Sequence, residues 1–466
     1  VIVAGAGLSG LSCAFDLVRG GADVRLLEAS SDVGGVVGTV ERDGFLFEKG
    51  PFSVQAGSEP FRRLCGDLGI ADRLIICSPA SDDRYLFHRG KLRRLPTSPV
   101  ELLRSDVLSF RGRMSAASEP VRRWTPPAPG APEPNLESFL VERVGAEATR
   151  VLAGAFVRGV YAAELKELGA RSAFPRLWKA CEEHGGIVRG FAAAGRAQAP
   201  DLPGPDVKRN ALISFPEGLA EIVRALEKML AGRVRTKDRV DALEKGASGW
   251  TVRSASGAID ADHVVLAAPA PIAARLLDPV VARLPPGFPI ATLKNVRHAA
   301  VIVVHLGLDA KDVPRWPQGF GYLVPPDEGA DAPRALGTIF VSNLFPGRAP
   351  EGSLALSSFY RESEVLGLDD RGSAALACED LARALGEPRV PTPRVVDVRR
   401  YTDVIPRYGP GHSDAIAELV RASSRSLPGL HFAGSYVAGV SVGEVIARGR
   451  AVAKEILEGR SGDAAG

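Results

Sequence analysis

Six residues near the amino terminus, Gly5-Ala6-Gly7-Leu8-Ser9-Gly10, constrain this chain more than any other feature. An apolar stub, Val1-Ile2-Val3-Ala4, precedes them and reads as a strand, while Leu11, Ala14, Leu17 and Val18 follow at helical spacing. Val24-Arg25-Leu26-Leu27 reads as a second strand and delivers Glu28, 28 − 10 = 18 residues past the last glycine. Strand, glycine turn, helix, strand and acid in that order are the context of a βαβ dinucleotide site. In such a unit Gly5 permits the tight turn, Gly7 lets backbone approach a pyrophosphate, and Gly10 lets the helix pack on the strand. The helix opening at Leu8 and Ser9 turns free N–H groups and a positive dipole end toward the phosphates. Glu28 stands where a carboxylate accepts hydrogen bonds from a ribose diol.

A chain of 466 residues exceeds one ordinary core, so two or three domains are expected. Its 45% hydrophobic and 24% charged residues are those of a globular rather than a disordered chain. A net charge of +3 is too small to argue for nucleic acid. The five cysteines (Cys13, Cys65, Cys77, Cys181, Cys378) are scattered, without CxxC or Cys/His clusters. That pattern argues against structural zinc and a disulfide framework; no metal and a reduced, cytoplasmic setting are expected. No run of 18 apolar residues exists, so no spanning helix is predicted, and no signal peptide is visible. Because Val1 already lies in a strand without an initiator methionine, a few preceding residues are expected.

The Rossmann-type start runs to about residue 65, with Gly34-Gly35 offering a second close backbone approach and a hairpin-like stretch from Val40 to Glu48 before Gly50-Pro51. Residues 84 to 95 read as a hairpin turning at Arg89-Gly90. From 97 to 200, Pro-rich linkers (Thr125 to Gly130) and helical patterns such as Leu136-Glu137-Ser138-Phe139-Leu140 read as a helical insertion. A helix from Leu219 to Leu230, strands between Val240 and Val265, and Val264-Val265-Leu266-Ala267-Ala268-Pro269 return to α/β character, so the first domain is expected to be discontinuous. Ala299 to Leu306 reads as a buried strand within a strand-rich region to 365, and the chain closes with strand, glycine turn and a helix from about Val442 to Leu457.

A single dinucleotide fingerprint plus the second glycine pair points to one tightly held FAD with a small-molecule electron acceptor. Gly439-Val440-Ser441-Val442 opens the terminal helix, where N–H groups and the dipole end can stabilise negative charge on a reduced ring; an ordinary cap served by Ser441 is the plainer reading.

These first and last motifs together resemble the flavin-containing amine oxidase and protoporphyrinogen oxidase superfamily. Six stretches extend the resemblance to the protoporphyrinogen oxidase family along nearly the whole chain: Arg84-Tyr85 with its hairpin and Leu95-Pro96; Phe156 to Glu164, similar to "F-x-x-G-x-Y-A-G-D"; His184-Gly185-Gly186-Ile187; Gly319 to Pro325 with Leu336 to Phe340; Ile405-Pro406-Arg407-Tyr408 with Gly411-His412, similar to "I-P-Q-Y-x-x-G-H"; and Gly439 to Ile446. The resemblance implies an α/β fold: a discontinuous Rossmann-type FAD-binding domain (1–66, 208–290, 412–466), an α+β substrate domain (67–95, 291–411) and a helical membrane-binding insertion (96–207). It implies oxidation of protoporphyrinogen IX to protoporphyrin IX, a six-electron loss with oxygen as acceptor and hydrogen peroxide as product. Hydride then passes from a meso carbon to the flavin, and no side chain is expected to be catalytic.

For the cofactor, the resemblance implies Gly5, Gly7, Leu8, Ser9, Gly10, Glu28, Ala29, Gly34, Gly35, Gly50, Pro51, Val240, Ala268, Gly434, Gly439, Val440, Ser441 and Val442. For the substrate it implies Gly159, with Phe320, Leu323, Ile339 and Phe359 sandwiching the macrocycle and Arg84 pairing with a propionate, a role suited to a permanently charged guanidinium. From residue types alone the apolar four would be strand core and Arg84 a solvated charge. The chain departs from the family pattern at Ala163-Glu164, Arg407, Gly443-Glu444 and Asp32. A cytoplasmic protein is expected, peripheral on the inner membrane's cytoplasmic face and able to form a homodimer, with Leu102, Leu103, Val107, Leu108 and Phe110 beside Arg104, Arg111 and Arg113 as the apolar, basic-rimmed face. Three other readings stay open: coproporphyrinogen III oxidation; an amine oxidase or carotenoid desaturase, for which Tyr436 is the lone aromatic candidate in the terminal motif; and a non-catalytic FAD-dependent tetrapyrrole binder.

Overall fold

The computed structural model describes residues 1–128, 130–194 and 201–463. Part of the sequence-predicted linker (Pro129) and the tail of the insertion (195–200) lie outside them.

The opening βαβ unit forms as its spacing predicts: strand Ile2–Ala4, helix Leu8–Arg19, strand Arg25–Leu27. These strands belong to a five-stranded parallel sheet in the order Val234–Arg235, Arg25–Leu27, Ile2–Ala4, Val264–Leu266, Leu430–Phe432. The first domain's sheet therefore draws on three distant stretches of sequence. Strand alternation sends successive side chains to opposite faces. Val3, Leu26 and Val265 pack against the helices Leu8–Arg19, Ala220–Met229 and Val442–Asp463. Ile2, Leu27, Val264 and Leu266 pack against Ala270–Val281, His412–Ser426 and a three-stranded antiparallel meander, Val240–Ala261. A parallel sheet buried on both faces explains why these strands are almost wholly apolar.

A second, seven-stranded sheet runs Val395–Pro406, His298–Asp309, Ser353–Arg361, Gly337–Ile339, Gly321–Leu323, Tyr85–His88, Lys91–Arg94. The strand predicted at 299–306 extends to twelve residues, since it is sandwiched between two long antiparallel partners. The hairpin at its edge turns at Arg89 and Gly90, both left-handed, as that two-residue turn requires.

Between these sheets' segments, helices from Pro99–Arg104 to Ile187–Ala194 form the insertion. Its core gathers Leu136, Phe139, Leu140, Val157, Tyr161 and Cys181. One expectation fails here. Val107 and Leu108 are buried against Leu86, Val151 and Ala155, because the chain between two short helices tucks them inward. Leu103 and Phe110 stay exposed. No described helix is long and apolar enough to cross a membrane.

The terminal strand and helix also form, with two differences. The helix continues to Asp463, and a short helix, Ser435–Ala438, occupies part of the predicted glycine turn.

Candidate functional site

A cavity of about 760 Å³ begins at the glycine turn and ends against the second sheet. Gly5, Gly7, Leu8 and Ser9 form its first wall, with Glu28 and Ala29 beside them. Gly10 stands behind this wall: a Cβ there would overlap the Gly5 carbonyl, so only glycine lets the helix seat this close. Ser9 is fixed from its side chain, its Oγ donating to the Ala433 carbonyl.

Glu28 is the polar anchor. Its Oε2 accepts from the Ala6 N–H at 2.7 Å, and its Oε1 accepts from Ser30 N–H at 2.8 Å and Ser30 Oγ at 2.7 Å. A carboxylate offers about four acceptor positions, so three occupied bonds leave roughly one, on Oε2, for a ribose hydroxyl. Gly34 pairs with Gly7 in a parallel bridge, which brings the second glycine pair onto the same wall. Gly50, Pro51, Val240, Ala268, Gly434, Val440, Ser441 and Val442 complete the lining among the sequence-predicted cofactor residues. Gly439 sits just behind, at the end of the short helix.

The substrate candidates divide. Gly159 and Phe359 line the cavity, whereas Arg84, Phe320, Leu323 and Ile339 are not among its lining residues. Leu323 lies against Gly159, where it fills the room a Cβ would need. Ile339 packs in one apolar cluster with Phe359 and in another with Phe320. Arg84, exposed, holds its guanidinium 5.3 Å from the centre of the Phe320 ring. Tyr436 is fully buried in the core behind the sheet, not on the cavity wall.

Several wall residues were not named as site residues from the sequence, although Tyr161, Leu336 and Ile405 fall in stretches that carry the resemblance. Tyr161, Leu336, Val301, Val303, Tyr401, Ile405, His298 and Asp403 face the far half of the cavity. Tyr401, Asp403 and Ile405 alternate along one strand, a signal that could have grouped them, but their neighbours on the other strand depend on a bulge between Ala299 and Val301. Tyr401 Oη donates to the Lys49 carbonyl at 2.9 Å, tying that strand to the first domain. Burial, helped by the Glu444 charge, pushes the Tyr161 phenol up to about 12, so it stays a neutral donor. Burial also pulls the His298 imidazole below its usual value, against the raising influence of Asp403.

The departures from the family pattern acquire partners. Glu164 pairs with Arg361, and Arg407 Nη1 donates to Glu167 Oε1 at 2.6 Å while Nη2 reaches the Ala162 carbonyl at 3.4 Å. Two ion pairs thus brace the helix end that carries Tyr161 and Ala162 into the cavity.

A glycine-lined groove with an acid at its head continuing into an apolar chamber fits a dinucleotide extended by a planar ring. A model of the flavin-containing amine oxidoreductase family matches residues 8–457. The chain belongs to that family. Its members are flavin-dependent oxidoreductases, and the cofactor for which this cradle is built is FAD. The human protein named protoporphyrinogen oxidase is 31% identical over 98% of each chain. The tobacco chloroplastic protoporphyrinogen oxidase is 29% identical over 98% of this chain and 85% of its own. The Bacillus subtilis relative named coproporphyrinogen III oxidase is 26% identical over 98% and 97%. Among solved structures, one from Exiguobacterium superposes with a TM-score of 0.81 at 20% identity, covering 98% of both chains. Cyclohexylamine oxidase from Brevibacterium oxydans superposes at 0.72 with 18% identity and 99% coverage of each, so both share the fold.

Proposed function

We propose that this family member oxidises protoporphyrinogen IX to protoporphyrin IX, with oxygen as the final acceptor and hydrogen peroxide as product. The observation that carries the reading is the far half of the cavity. Val301, Val303, Leu336, Phe359 and Ile405 line it, and Lys49, Arg239 and Arg275 are the cationic residues in the described lining of the whole cavity. A flat, largely hydrocarbon macrocycle suits such walls, since burying it removes apolar surface from water on both faces. A substrate with four carboxylates, as in coproporphyrinogen III, would strand unpaired charge there, which is costly. Bound in the glycine cradle, FAD supplies two-electron acceptance, and three rounds account for six electrons.

The chain's own residues do the rest. Gly5 to Ser9, Glu28, Ala29, Gly34, Gly35, Gly50, Pro51, Val240, Ala268, Gly434 and Val440 to Val442 would hold the cofactor, with Gly10 and Gly439 supporting the wall. Gly159 and Phe359 would bound the macrocycle, Leu323 and Ile339 bracing them from behind. Arg84, set over Phe320, is the proposed receptor for a propionate on the outer side. The neutral phenols of Tyr161 and Tyr401 help exclude water without adding charge to the chamber.

The domain division given above is likewise our proposal, with one refinement. Ile75–Ile76 pairs with Leu212–Ser214, so residues 67–76 go with the FAD-binding domain. The insertion is proposed to touch a membrane surface on the cytoplasmic side. Ten large apolar residues exposed between Val100 and Phe191, among them Leu103, Phe110, Met114 and Phe156, concentrate on it, and Arg104 and Arg111 are exposed beside them. Phe156 and Val160 share the helix that carries Gly159 and Tyr161, so that face adjoins the cavity.

The test is anaerobic mixing of the flavin-loaded protein with each porphyrinogen, followed by porphyrin fluorescence. Rapid bleaching with protoporphyrinogen, at least tenfold faster than with coproporphyrinogen, is expected. A flavin that stays yellow with both would end the reading, and preference for the four-carboxylate substrate would reverse it.

A further inference from the structure

The terminal helix Val442–Asp463 begins at the cavity, and its first turn carries a carboxylate, Glu444, longer by one methylene than the aspartate of the family pattern. Glu444 Oε2 accepts from the Ser441 N–H at 3.1 Å and from Ser441 Oγ at 2.7 Å, and Ser441 Oγ in turn accepts from the Glu444 N–H at 3.3 Å. This is a reciprocal capping box, in which a serine and the acid three residues on satisfy each other's backbone donors. Two N–H groups otherwise open to a ligand are thereby taken up. The acid reaches back because the residue opposite is Gly439, in a backbone conformation (φ 131°) open to glycine, where any Cβ would overlap the carboxylate.

The location matters as much as the bonds. Val440, Ser441, Val442, Glu444 and Val445 all line the cavity. Val442 packs with the core of the dinucleotide half, while Val440 packs with Tyr161, Tyr408 and Ile405 at the far half. The helix start therefore stands at the junction of the two halves, where the ring portion of FAD would lie. An α-helix N-terminus alone presents roughly half a positive charge, whereas an ionised carboxylate adds a full negative one. The sum is about half a unit negative, so the acid decides the sign of the field. Burial holds Tyr161 on the facing helix and Tyr408 in their neutral forms, and the Glu444 charge acts on both in the same direction, for Tyr408 after Tyr161.

We propose that Glu444 is a tuning residue for the cofactor: it reverses the field of the terminal helix at the flavin ring and thereby holds the two-electron reduction potential down. A ring that gains negative charge on reduction meets a carboxylate rather than a bare helix end. The reduced cofactor is then the stronger electron donor to whatever acceptor follows.

Potentiometry of the flavin-loaded protein against a reference dye, together with titration by sulfite, reads this directly. E444Q keeps the side chain's shape and removes its charge. It is expected to move the reduction equilibrium about tenfold toward the reduced form, or about 30 mV for two electrons, and to tighten sulfite binding by a similar factor. E444D keeps the charge and should stay within threefold of the parent on both readouts. If E444Q does not retain flavin, E444A takes its place with the same thresholds. A shift below threefold on removing the charge overturns the proposal, as does an equal shift in E444D, which would assign the effect to cap geometry. Neither readout involves a porphyrinogen, so failure here would leave the proposed reaction standing.

Discussion

Among single residues, Glu28 concentrates the most consequence in one side chain. It fastens Ala6 and Ser30 and keeps an acceptor for the ribose, and a hydrogen bond to a charged group is worth about 1.5–3 kcal/mol. E28A should therefore weaken FAD retention by about 10- to 100-fold, measured by flavin release in equilibrium dialysis. His305 makes a pH prediction. It lies buried between Phe47 and Phe52, its Nδ1 2.6 Å from Ser357 Oγ, and burial pulls its pKa to about 4. A depressed folded value means that its contribution is whole above about pH 6.5 and is lost as pH falls through 4. The loss amounts to roughly 3 kcal/mol at 1.36 kcal/mol per pKa unit, and H305N should flatten that acid limb in urea titrations. The nucleotide residues were readable beforehand because a local spacing rule fixes them: turn, helix dipole and acid all fall within one βαβ unit. Tyr401, Asp403 and His298 were not, since their meeting depends on the register of two strands about a hundred residues apart in sequence and on a bulge no local pattern announces.

At the scale of elements, the insertion depends on one buried ion pair. Glu119 and Arg143 are each 1% exposed. Glu119 Oε1 accepts from Arg143 Nη2 at 2.9 Å and from Ile187 N–H at 2.7 Å, and its Oε2 accepts from Val188 N–H at 3.1 Å, which fixes the start of the helix Ile187–Ala194. Removing one member of such a pair leaves an uncompensated buried charge, at a cost of about 3–5 kcal/mol. E119A should thus loosen that helix first, visible as faster amide exchange over 175–194 while the parallel sheet keeps its protection. Helical content in this region was legible from periodicity and proline punctuation. The partition of its apolar residues was not: Val107 and Leu108 carry the same hydrophobic signal as Leu103 and Phe110, and only tertiary packing decides which pair turns inward. The seven-stranded sheet was equally hidden, because Tyr85–His88 lies parallel to Gly321–Leu323, a pairing no hairpin rule supplies.

Taken as one molecule, the protein is two large sheets, with smaller ones beside them, and a helical insertion around a shared cavity, and its exposed apolar side chains are unevenly spread. If the insertion is a docking face, L103E/F110E should abolish sedimentation with anionic vesicles while leaving flavin content unchanged. The discontinuous first domain has a different outcome. The wall around the cofactor is made by the glycine turn near residue 5, the strand end at Ala267 and Ala268, and the closing segment from Gly434 to Val445. A ribosome must release the chain through Val445 before that last side exists, so the nascent chain cannot clasp its coenzyme early. Flavin capture thus waits on that closing segment, and a product truncated before Leu430 should emerge colourless and open to proteolysis.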